Sequence, residues 1–514
     1  MLSVTFGQKL DLLMRITNTT NIALARSVSL DASFISRLRR EMRTPARKEN
    51  YVMAMAAYFA RNCSTDYQRA GLSEALQVPL DNYPENMEEV TEFIYKWFLE
   101  EKGGNTNSIK NFVDNVAHFK FNKAPQRTAV KDPKANGRLT SDTEIFYGIE
   151  GKQAAVLAFL CLVLKNKKPQ TLLLYSDEDL EWLTGNREFK AKWAELLSQA
   201  IMQGSRIKII HNINRNLDEM LSAIKEWMPI YMTGAIEPYY YPKIRDGIFK
   251  RTLFIAPDTA ALTSNSIEHG SKNTANFLIT NKDAITTLGH EFNDFLSICR
   301  PLMHIFTPSS RENLSSLLAE FENERADSAV IADVPSSITL PLDIIKSMCS
   351  RMEVQKKNAL LSFQQRRVKS FEDNLQKQSF TEIITYPNIE KIRAEETMFI
   401  FSDIYGDSIL YYTPEEYSRH LQNIIRYLDS FDNYNVYLTH DDKTAGYMLY
   451  LKEDVGVIVG KTTLPSVIFA INESNLTAAF WDHARLSMNK KAKNETQKKK
   501  TIAEIERIIE KLEA

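Results

Sequence analysis

TNIALARSVSLDASFISRLRREMRTP, residues 20–45, is the stretch of sequence that decides the fold of the amino-terminal region. Ser29-Leu30 has the composition of a tight turn, and Ala25 is small enough for two helices to cross there. Apolar residues recur at helical spacing around this turn, namely Leu24, Phe34, Ile35 and Leu38. The pattern predicts two short helices joined by a tight turn, inside an all-α bundle that covers residues 5–61.

This stretch resembles the Cro/repressor (XRE-like) helix-turn-helix family. The residues that carry the resemblance are Leu24-Ala25, Ser33, Ile35-Ser36-Arg37 and Arg43-Thr44-Pro45. Members of that family place the second helix in the major groove of DNA, braced by the first helix. The resemblance implies that residues 1–65 form a DNA-binding domain.

Within such a domain, the early outward positions of the second helix contact base edges, and later basic residues contact phosphates. Ser33, Ser36 and Arg37 are therefore the candidates for base contacts, since an arginine can pair with guanine through two hydrogen bonds. The candidates for phosphate contacts are Arg40, Arg43, Thr44 and Arg47.

The charge of this region supports the same interpretation. Residues 1–50 carry nine basic and four acidic residues, whereas the whole chain has a net charge of −1. Phosphate contacts require positive charge that is concentrated in this way. Two alternatives to DNA binding stay open. The region could be a small helical bundle with a solvated basic face, or its helix-turn-helix could dock onto a protein.

The length of the chain predicts several further domains, because 514 residues are more than a domain with a single hydrophobic core usually contains. A helical segment and a linker rich in Pro, Gly, Asn and Lys cover residues 66–142. Beyond the linker, short apolar strands alternate with helices, which indicates layered α/β structure. The expected segments are an α/β domain at 143–305, a helical connector at 306–380, a second α/β domain at 381–488 and a carboxyl-terminal helix at 489–514.

A weak internal repeat links the two α/β domains. Asn276–Phe295 and Val467–Leu486 each read as a strand, a polar turn with an asparagine, and a helix. Chance convergence on a strand–turn–helix is the alternative. In the carboxyl-terminal helix, Ile502, Ile505, Ile509 and Leu512 form one apolar stripe, which predicts packing against the chain's own body in preference to oligomerisation.

The strand that ends at His211 carries the strongest catalytic signal. Phospholipase-D-like enzymes use two H-x-K-x4-D motifs, and His211 and Asp218 have the spacing of that motif, with Ile213 at the lysine position. His269 begins a still less similar second copy. The segment 143–305 thus resembles a degenerate phospholipase-D-like domain. Because both motifs lack the lysine that would bind phosphate, the resemblance implies a non-catalytic region.

A relict pocket with His211, Asp218, Tyr240 and His269 is the candidate ligand site of this region. Its aromatic part comes from IEPYYYPK, residues 236–243. His211 could equally be a hydrogen-bonded histidine at a strand end. The rival function is a phosphodiesterase or nuclease in which His211 is the nucleophile.

Other motifs predict no cofactor and no metal. DVGVIVGKTT, residues 454–463, has the wrong glycine spacing for a phosphate-binding loop and favours a strand and a turn. GHEFND, residues 289–294, has an aspartate where a zinc motif needs its second histidine. The four cysteines lack CxxC spacing, and the longest apolar run is too short to span a membrane.

Together these features predict a cytoplasmic, non-enzymatic transcriptional regulator that binds double-stranded DNA in a sequence-specific way. The fold class is multidomain, with an all-α helix-turn-helix followed by mixed α/β regions and a carboxyl-terminal helix. We expect a homodimer, because one recognition helix supplies little interface. A small-molecule effector is a further expected partner, and a membrane is not.

Overall fold

The computed structural model describes residues 6–39, 51–63, 65, 68–69, 72, 86–99, 104–119, 142–178, 181–211, 217–242, 248–267, 274–311, 313–351, 357–405, 409–440, 446–489 and 495–514. The chain divides into two compact units. The helical unit comprises residues 1–111 and 474–483, and the α/β unit comprises residues 112–473 and 484–514. The predicted combination of an all-α amino-terminal part with mixed α/β regions is confirmed.

The helical unit is built from short helices. Their bounds are α1 Phe6–Ile16, α2 Asn21–Ser27, α3 Ala32–Arg39, α4 Tyr51–Asn62, α5 Met87–Leu99 and α6 Gly104–Ala117, the last of which continues into the α/β unit. Leu10, Ile35, Phe59 and Phe98 are buried in one core that all of helices α1 to α5 share. This core extends past the predicted domain end at residue 65, because α5 contributes Ile94 and Phe98 to it.

The α/β unit contains two lobes. Lobe A covers residues 143–301, and its strands are β1 Thr143–Tyr147, β2 Thr171–Ser176, β3 Arg206–His211, β4 Ile236–Tyr240, β5 Phe249–Ala256, β6 Ala260–Ile267, β7 Ala275–Ile279 and β8 Arg300–Pro301. Its helices are α7 Gly148–Asn166, α8 Glu181–Thr184, α9 Arg187–Met202, α10 Leu217–Tyr231 and α11 Lys282–Ser297. Within the described residues, the strands form one sheet in the order β1-β7-β6-β5-β2-β3-β4-β8.

Lobe B covers residues 303–473 and 484–513. Its strands are β9 Met303–Phe306, β10 Ser328–Ala332, β11 Phe380–Thr385, β12 Tyr434–Thr439, β13 Tyr447–Lys452, β14 Gly456–Lys461 and β15 Val467–Ile471. Its helices are α12 Leu314–Asn323, α13 Leu342–Ser350, α14 Lys357–Leu375, α15 Ile389–Arg393, α16 Ser402–Tyr405, α17 Pro414–Ser430, the end of α18 Ser474–Asn489, and α19 Glu495–Glu513. The described strands are ordered β12-β11-β10-β13-β14-β15-β9.

The two lobes repeat one topology. In lobe A, β2, β3 and β4 are parallel, whereas β5, β6, β7 and β1 continue the sheet on the other side of β2 as antiparallel neighbours. In lobe B, β10, β11 and β12 are parallel, and β13, β14, β15 and β9 follow in the same antiparallel manner. Except for the added strand β8, order and direction agree at every position.

The internal repeat predicted from the sequence is therefore confirmed at the level of the fold, with a different register. The sequence comparison pairs Asn276 with Val467. In the sheets, Asn276 lies opposite Ser264, the fifth residue of β6, and Ile468 lies opposite Gly460, the fifth residue of β14. Asn276 is thus equivalent to Ile468, which is one residue after the Val467 of the sequence comparison.

An aspartate marks the same place in both lobes. Asp177 directly follows β2, and its carboxylate accepts a hydrogen bond from the backbone N–H of Arg251 in β5. Asp333 directly follows β10, and its Oδ2 accepts a hydrogen bond of 2.9 Å from the backbone N–H of Gly446, just before β13. Each carboxylate connects the end of the first parallel strand to the start of the first antiparallel one.

The structure differs from the sequence prediction for residues 306–380. These residues were expected to form a helical connector, and they do contain α12, α13 and α14. They also contain β10, which lies between β11 and β13 in the sheet of lobe B. The reason is that Ser328–Ala332 is a short apolar run, for which periodicity does not separate a buried strand from a helical segment.

The carboxyl-terminal helix α19 packs against lobe B, as its apolar stripe predicts. Ile505, Ile509 and Leu512 are buried in the core of that lobe, and Ile502 is partly buried beside them. The Thr501 hydroxyl donates a hydrogen bond of 3.2 Å to the carbonyl oxygen of Val436 in β12. Among the described helices of the whole chain, none is long and apolar enough to cross a membrane.

Candidate nucleic-acid interface

The turn between α2 and α3 is defined by local hydrogen bonds. The Thr20 hydroxyl caps α2 by accepting a bond of 3.2 Å from the N–H of Ala23. Ser29 then adopts a left-handed conformation with φ of 56°, which reverses the chain. The N–H of Leu30 donates to the carbonyl oxygen of Ala25 at 2.9 Å, and α3 begins two residues later. The predicted turn at Ser29-Leu30 therefore matches the structure.

The inner sides of both helices face the core of the helical unit. Leu24 and Ala25 of α2 are buried, as are Ile35 and Leu38 of α3, which have no exposed surface. Phe34 is half-buried and packs edge-on against the ring of Tyr51, with 5.5 Å between ring centroids. Burial of a large apolar side chain is worth roughly 1.5–3 kcal/mol, so these contacts fix which side of α3 faces outward.

Arg39, at the end of α3, joins three helices. Its Nε donates to Oδ1 of Asp11 in α1 at 3.1 Å, and one terminal nitrogen donates to Oδ1 of Asn21 in α2 at 2.9 Å. The hydrogen bond from Arg39 is the largest of several effects that lower the pKa of Asp11 below its usual value. Arg15 contacts the other carboxylate oxygen of Asp11 at 2.6 Å. Arg39 therefore holds α3 against α1 and α2.

The outer side of α3 carries the residues predicted to contact bases. Ser33 and Arg37 are exposed, and Ser36 is half-buried. The Nε of Arg37 donates to the backbone carbonyl of Ser33 at 3.3 Å, so the guanidinium lies along the helix surface. We call Ser33, Ser36 and Arg37 the α3 face. The predicted phosphate contacts, which are Arg40, Arg43, Thr44 and Arg47, lie outside the described residues.

Part of the positive charge counted in the sequence is used inside the helical unit. Lys9 is buried, its Nζ donates to the carbonyl oxygen of Trp97 at 2.6 Å, and it lies 5.3 Å from the centre of the Trp97 ring. Arg39 is bound to Asp11 and Asn21. Neither residue is available to a phosphate, and among the described residues of 1–50 the exposed basic side chains are Arg15, Arg26 and Arg37.

The candidate pocket of lobe A is only partly described. His211 and Tyr240 are neighbours in register on β3 and β4. The Nε2 of His211 lies 2.6 Å from the hydroxyl of Tyr231, whose burial raises its pKa above the usual value. His211 is thus a hydrogen-bonded histidine at a strand end, which is one of its two predicted interpretations. Asp218 lies in α10 with its side chain outside the described part, and His269 lies outside it altogether.

A buried polar cluster in lobe A was not predicted from the sequence. Lys152 of α7 forms an ion pair with Glu178, and its Nζ donates to the hydroxyl of Thr252 at 2.9 Å. Ser264 and Asn276 continue the row on β6 and β7. The sequence signal is Lys152, which precedes the apolar run AAVLAFL of α7, because a lysine on the buried side of such a helix needs a buried partner.

The rejected motifs have ordinary structural places. DVGVIVGKTT contains strand β14, Gly456–Lys461, and Nζ of Lys461 donates to the carbonyl oxygen of Pro465 at 3.2 Å. His290 and Asp294 of GHEFND are exposed on α11. Within the residues that the structure describes, no cluster of three or more His, Cys, Asp or Glu side chains is arranged to bind a metal ion.

Comparison with known proteins does not assign the chain to a family. The chain matches no protein-family model and no curated protein sequence. Among solved structures it is similar to TrmBL2, an archaeal chromatin protein described as having a novel mode of DNA binding, at 13% identity and a TM-score of 0.24, over 54% of this chain and 99% of that one. Another is polyphosphate kinase from Porphyromonas gingivalis, at 10% identity and a TM-score of 0.21, over 68% of this chain and 47% of that one. Both TM-scores are too low to support an argument about fold or function.

Proposed function

We propose that the helical unit binds double-stranded DNA in a sequence-specific way, and that the α3 face enters the major groove. The observation that carries this proposal is the division of α3 into two sides. Ile35 and Leu38 are fully buried, whereas Ser33 and Arg37 on the opposite side are exposed. A recognition helix needs this division, because its inner side must brace it while its outer side meets the bases.

The short side chains near the start of α3 also suit the proposal. Ser33 is small, so the amino-terminal end of α3 can approach the base edges closely. Arg37 is one turn further along and extends over the helix surface, where its guanidinium can rotate away from the Ser33 carbonyl to donate two hydrogen bonds to guanine. Arg26 at the exposed end of α2 is a candidate phosphate contact beside the same groove.

The proposal includes a dimer. A single short helix offers a small interface, and specific complexes reach high affinity by joining two half-sites with two-fold symmetry. We assign dimerisation to the α/β unit and give that unit no catalytic role. The hydrogen bond of His211 to Tyr231 supports a structural use of that histidine.

The test starts from random duplex DNA. The full-length protein selects sequences from a random pool, and the Kd of the enriched sequence and of a scrambled one are then measured at several salt concentrations. For Arg37→Ala, a lost base contact worth roughly 1–3 kcal/mol predicts a Kd on the enriched sequence about 5–150-fold higher. Binding to the scrambled duplex should change much less.

The matched control is Arg61→Ala, which removes an exposed arginine from the end of α4 in the same unit. It should leave the Kd of the enriched sequence unchanged. Failure to enrich any sequence, or equal Kd values for wild type and Arg37→Ala, would contradict the proposal. Cleavage of the duplex that disappears in His211→Ala would instead favour a nuclease.

A further inference from the structure

The two lobes differ at one equivalent place above their sheets. In lobe A, Thr252, Ser264 and Asn276 lie side by side on β5, β6 and β7, and the hydroxyls of Thr252 and Ser264 contact the buried Lys152–Glu178 ion pair. The equivalent row in lobe B is Met448, Gly460 and Ile468. Each row starts six residues before an aspartate with positive φ, which is Asp258 in lobe A and Asp454 in lobe B.

An apolar cleft lies over this row in lobe B. One cavity of about 30 Å³ is bounded by Met448 and Ile468 of the sheet, Leu318 of α12, and Phe399. A second cavity of about 40 Å³ lies between α13 and α14 and is lined by Met348, Cys349 and Leu360 among others. Ser337, Arg367 and Phe399 line both cavities, which are therefore adjacent, and we call the pair of cavities the cleft.

The size of the cleft exceeds what one water molecule needs, which is roughly 10–15 Å³ on the same measure. At about 30 and 40 Å³, the two cavities each offer roughly two to four times that space. Its lining is mainly apolar, so water gains few hydrogen bonds there. An apolar molecule has no hydrogen bonds to lose, so it would bury its surface in the cleft without such a cost.

The position of the cleft in the sheet also favours a ligand. Pro335, Ser336 and Ser337, which line it, follow the carboxyl end of β10. From β10 the chain continues to β11 and β12 on one side of the sheet, and it returns to the other side of β10 with β13, so the strand order reverses there. In open α/β sheets, ligands bind in the crevice outside the carboxyl ends of strands at such a switch in strand order.

The charge in the cleft is balanced, which defines the class of ligand. Arg367 is the charged residue of the lining, and its Nε and one terminal nitrogen each donate to Glu322 at 2.7 Å. The same guanidinium also donates to Gln364 and to the Ser337 hydroxyl. A charged ligand would meet no uncompensated opposite charge and would still lose its hydration.

We propose that this cleft of lobe B is a binding site for a small, uncharged and mainly apolar molecule of the size of a substituted aromatic ring. This inference is independent of DNA binding, since it rests on lobe B alone. It also moves the ligand site away from His211 and Tyr240 of lobe A, where the sequence predicted it. Toluene serves as the uncharged probe, and benzoate is its charged counterpart of similar shape.

The first experiment uses the full-length protein with ¹³C-labelled methionine methyl groups. Met348 and Met448 line the two cavities, and their resonances are assigned with the Met348→Leu and Met448→Leu variants. Toluene should shift both resonances in a saturable way, while Met228, buried in lobe A, should not respond. Benzoate should shift neither. Unchanged Met348 and Met448 resonances with toluene, or equal shifts with benzoate, would overturn the proposal.

The second experiment fills the cleft. Leu360→Phe places a larger side chain at its wall and should weaken toluene binding at least tenfold. Leu361→Phe is the matched control, because Leu361 is the next residue of α14 and packs on the core of lobe B outside the cleft. Equal toluene affinity in wild type and a folded Leu360→Phe would overturn the proposal. If Leu360→Phe does not fold, the methionine shifts of the wild type decide the question alone.

Discussion

Replacement of Glu382 by glutamine should change how the stability of lobe B depends on pH. Glu382 lies in β11 with no exposed surface. One carboxylate oxygen accepts a hydrogen bond of 2.8 Å from the Tyr434 hydroxyl, and the other accepts one of 3.1 Å from the N–H of Ser336. Burial is the largest effect on this group and raises its pKa to about 7, although both hydrogen bonds act in the opposite direction.

The magnitude follows from the difference between the folded and unfolded pKa. The unfolded chain has a glutamate pKa of about 4.5, so the difference from about 7 is roughly 2.5 units, or about 3 kcal/mol. The folded state binds the proton more tightly than the unfolded state does. The contribution of Glu382 to the free energy of unfolding is therefore highest below pH 4.5, and it falls by about 3 kcal/mol as the pH rises from 4.5 through 7.

Glutamine removes this titration and can keep the local hydrogen bonds. Its carbonyl oxygen can accept from Ser336, and its amide can donate to the Tyr434 hydroxyl, which is able to accept. The assay is urea unfolding of wild type and Glu382→Gln at pH values from 5 to 8.5. The difference in free energy of unfolding should grow with pH in favour of the variant, by about 2.5 kcal/mol over the whole range.

The control for that assay is Glu390→Gln, which changes an exposed carboxylate in α15 a few residues away. Its free energy of unfolding should follow the wild type at every pH. Parallel pH profiles for wild type and Glu382→Gln would refute the reasoning, because burial of Glu382 would then carry no titration cost.

Three other substitutions test contacts within lobe B. Glu322→Gln should lower the free energy of unfolding, measured with urea, by about 3–5 kcal/mol, because it leaves the charge of the buried Arg367 uncompensated. The double variant Arg367→Met with Glu322→Leu should recover most of that stability, because it removes both charges. Gly460→Ala should destabilise by about 1–3 kcal/mol, since the new Cβ would collide with the ring of Phe401; calorimetry should show a lower Tm, and an unchanged Tm would contradict the collision. Ile505→Ala should cost about 2–5 kcal/mol in urea unfolding because this side chain is fully buried, whereas a loss below 1 kcal/mol would mean that α19 packs loosely.

The amino-terminal site could largely be predicted from the sequence. Helical spacing of apolar residues and the Ser29-Leu30 turn determine both short helices, because these are local properties. The use of Lys9 and Arg39 inside the helical unit could not be predicted in the same way. Their partners Trp97 and Asp11 are distant in sequence, so only the packed bundle brings them together.

For the α/β unit, the sequence predicted the fold class correctly, whereas one strand and the register of the internal repeat were predicted less well. Alternating strands and helices indicate the layered fold, whereas the strand β10 was missed inside a helical stretch. The one-residue shift of the repeat has a related cause. An alignment of Asn276 with Val467 matches Asn281 with Asn472, but the strand pairing is determined by the hairpin turns at Asp258 and Asp454.

The paired aspartates at the strand ends have a consequence for tracing descent. A polar row in one lobe is apolar in the other, yet Asp177 and Asp333 bind the backbone at the same junction of the two sheets. A duplicated ancestor would carry one such carboxylate in each half. Remote relatives of this chain should therefore be easier to recognise by two aspartates at matching junctions than by overall similarity of residues.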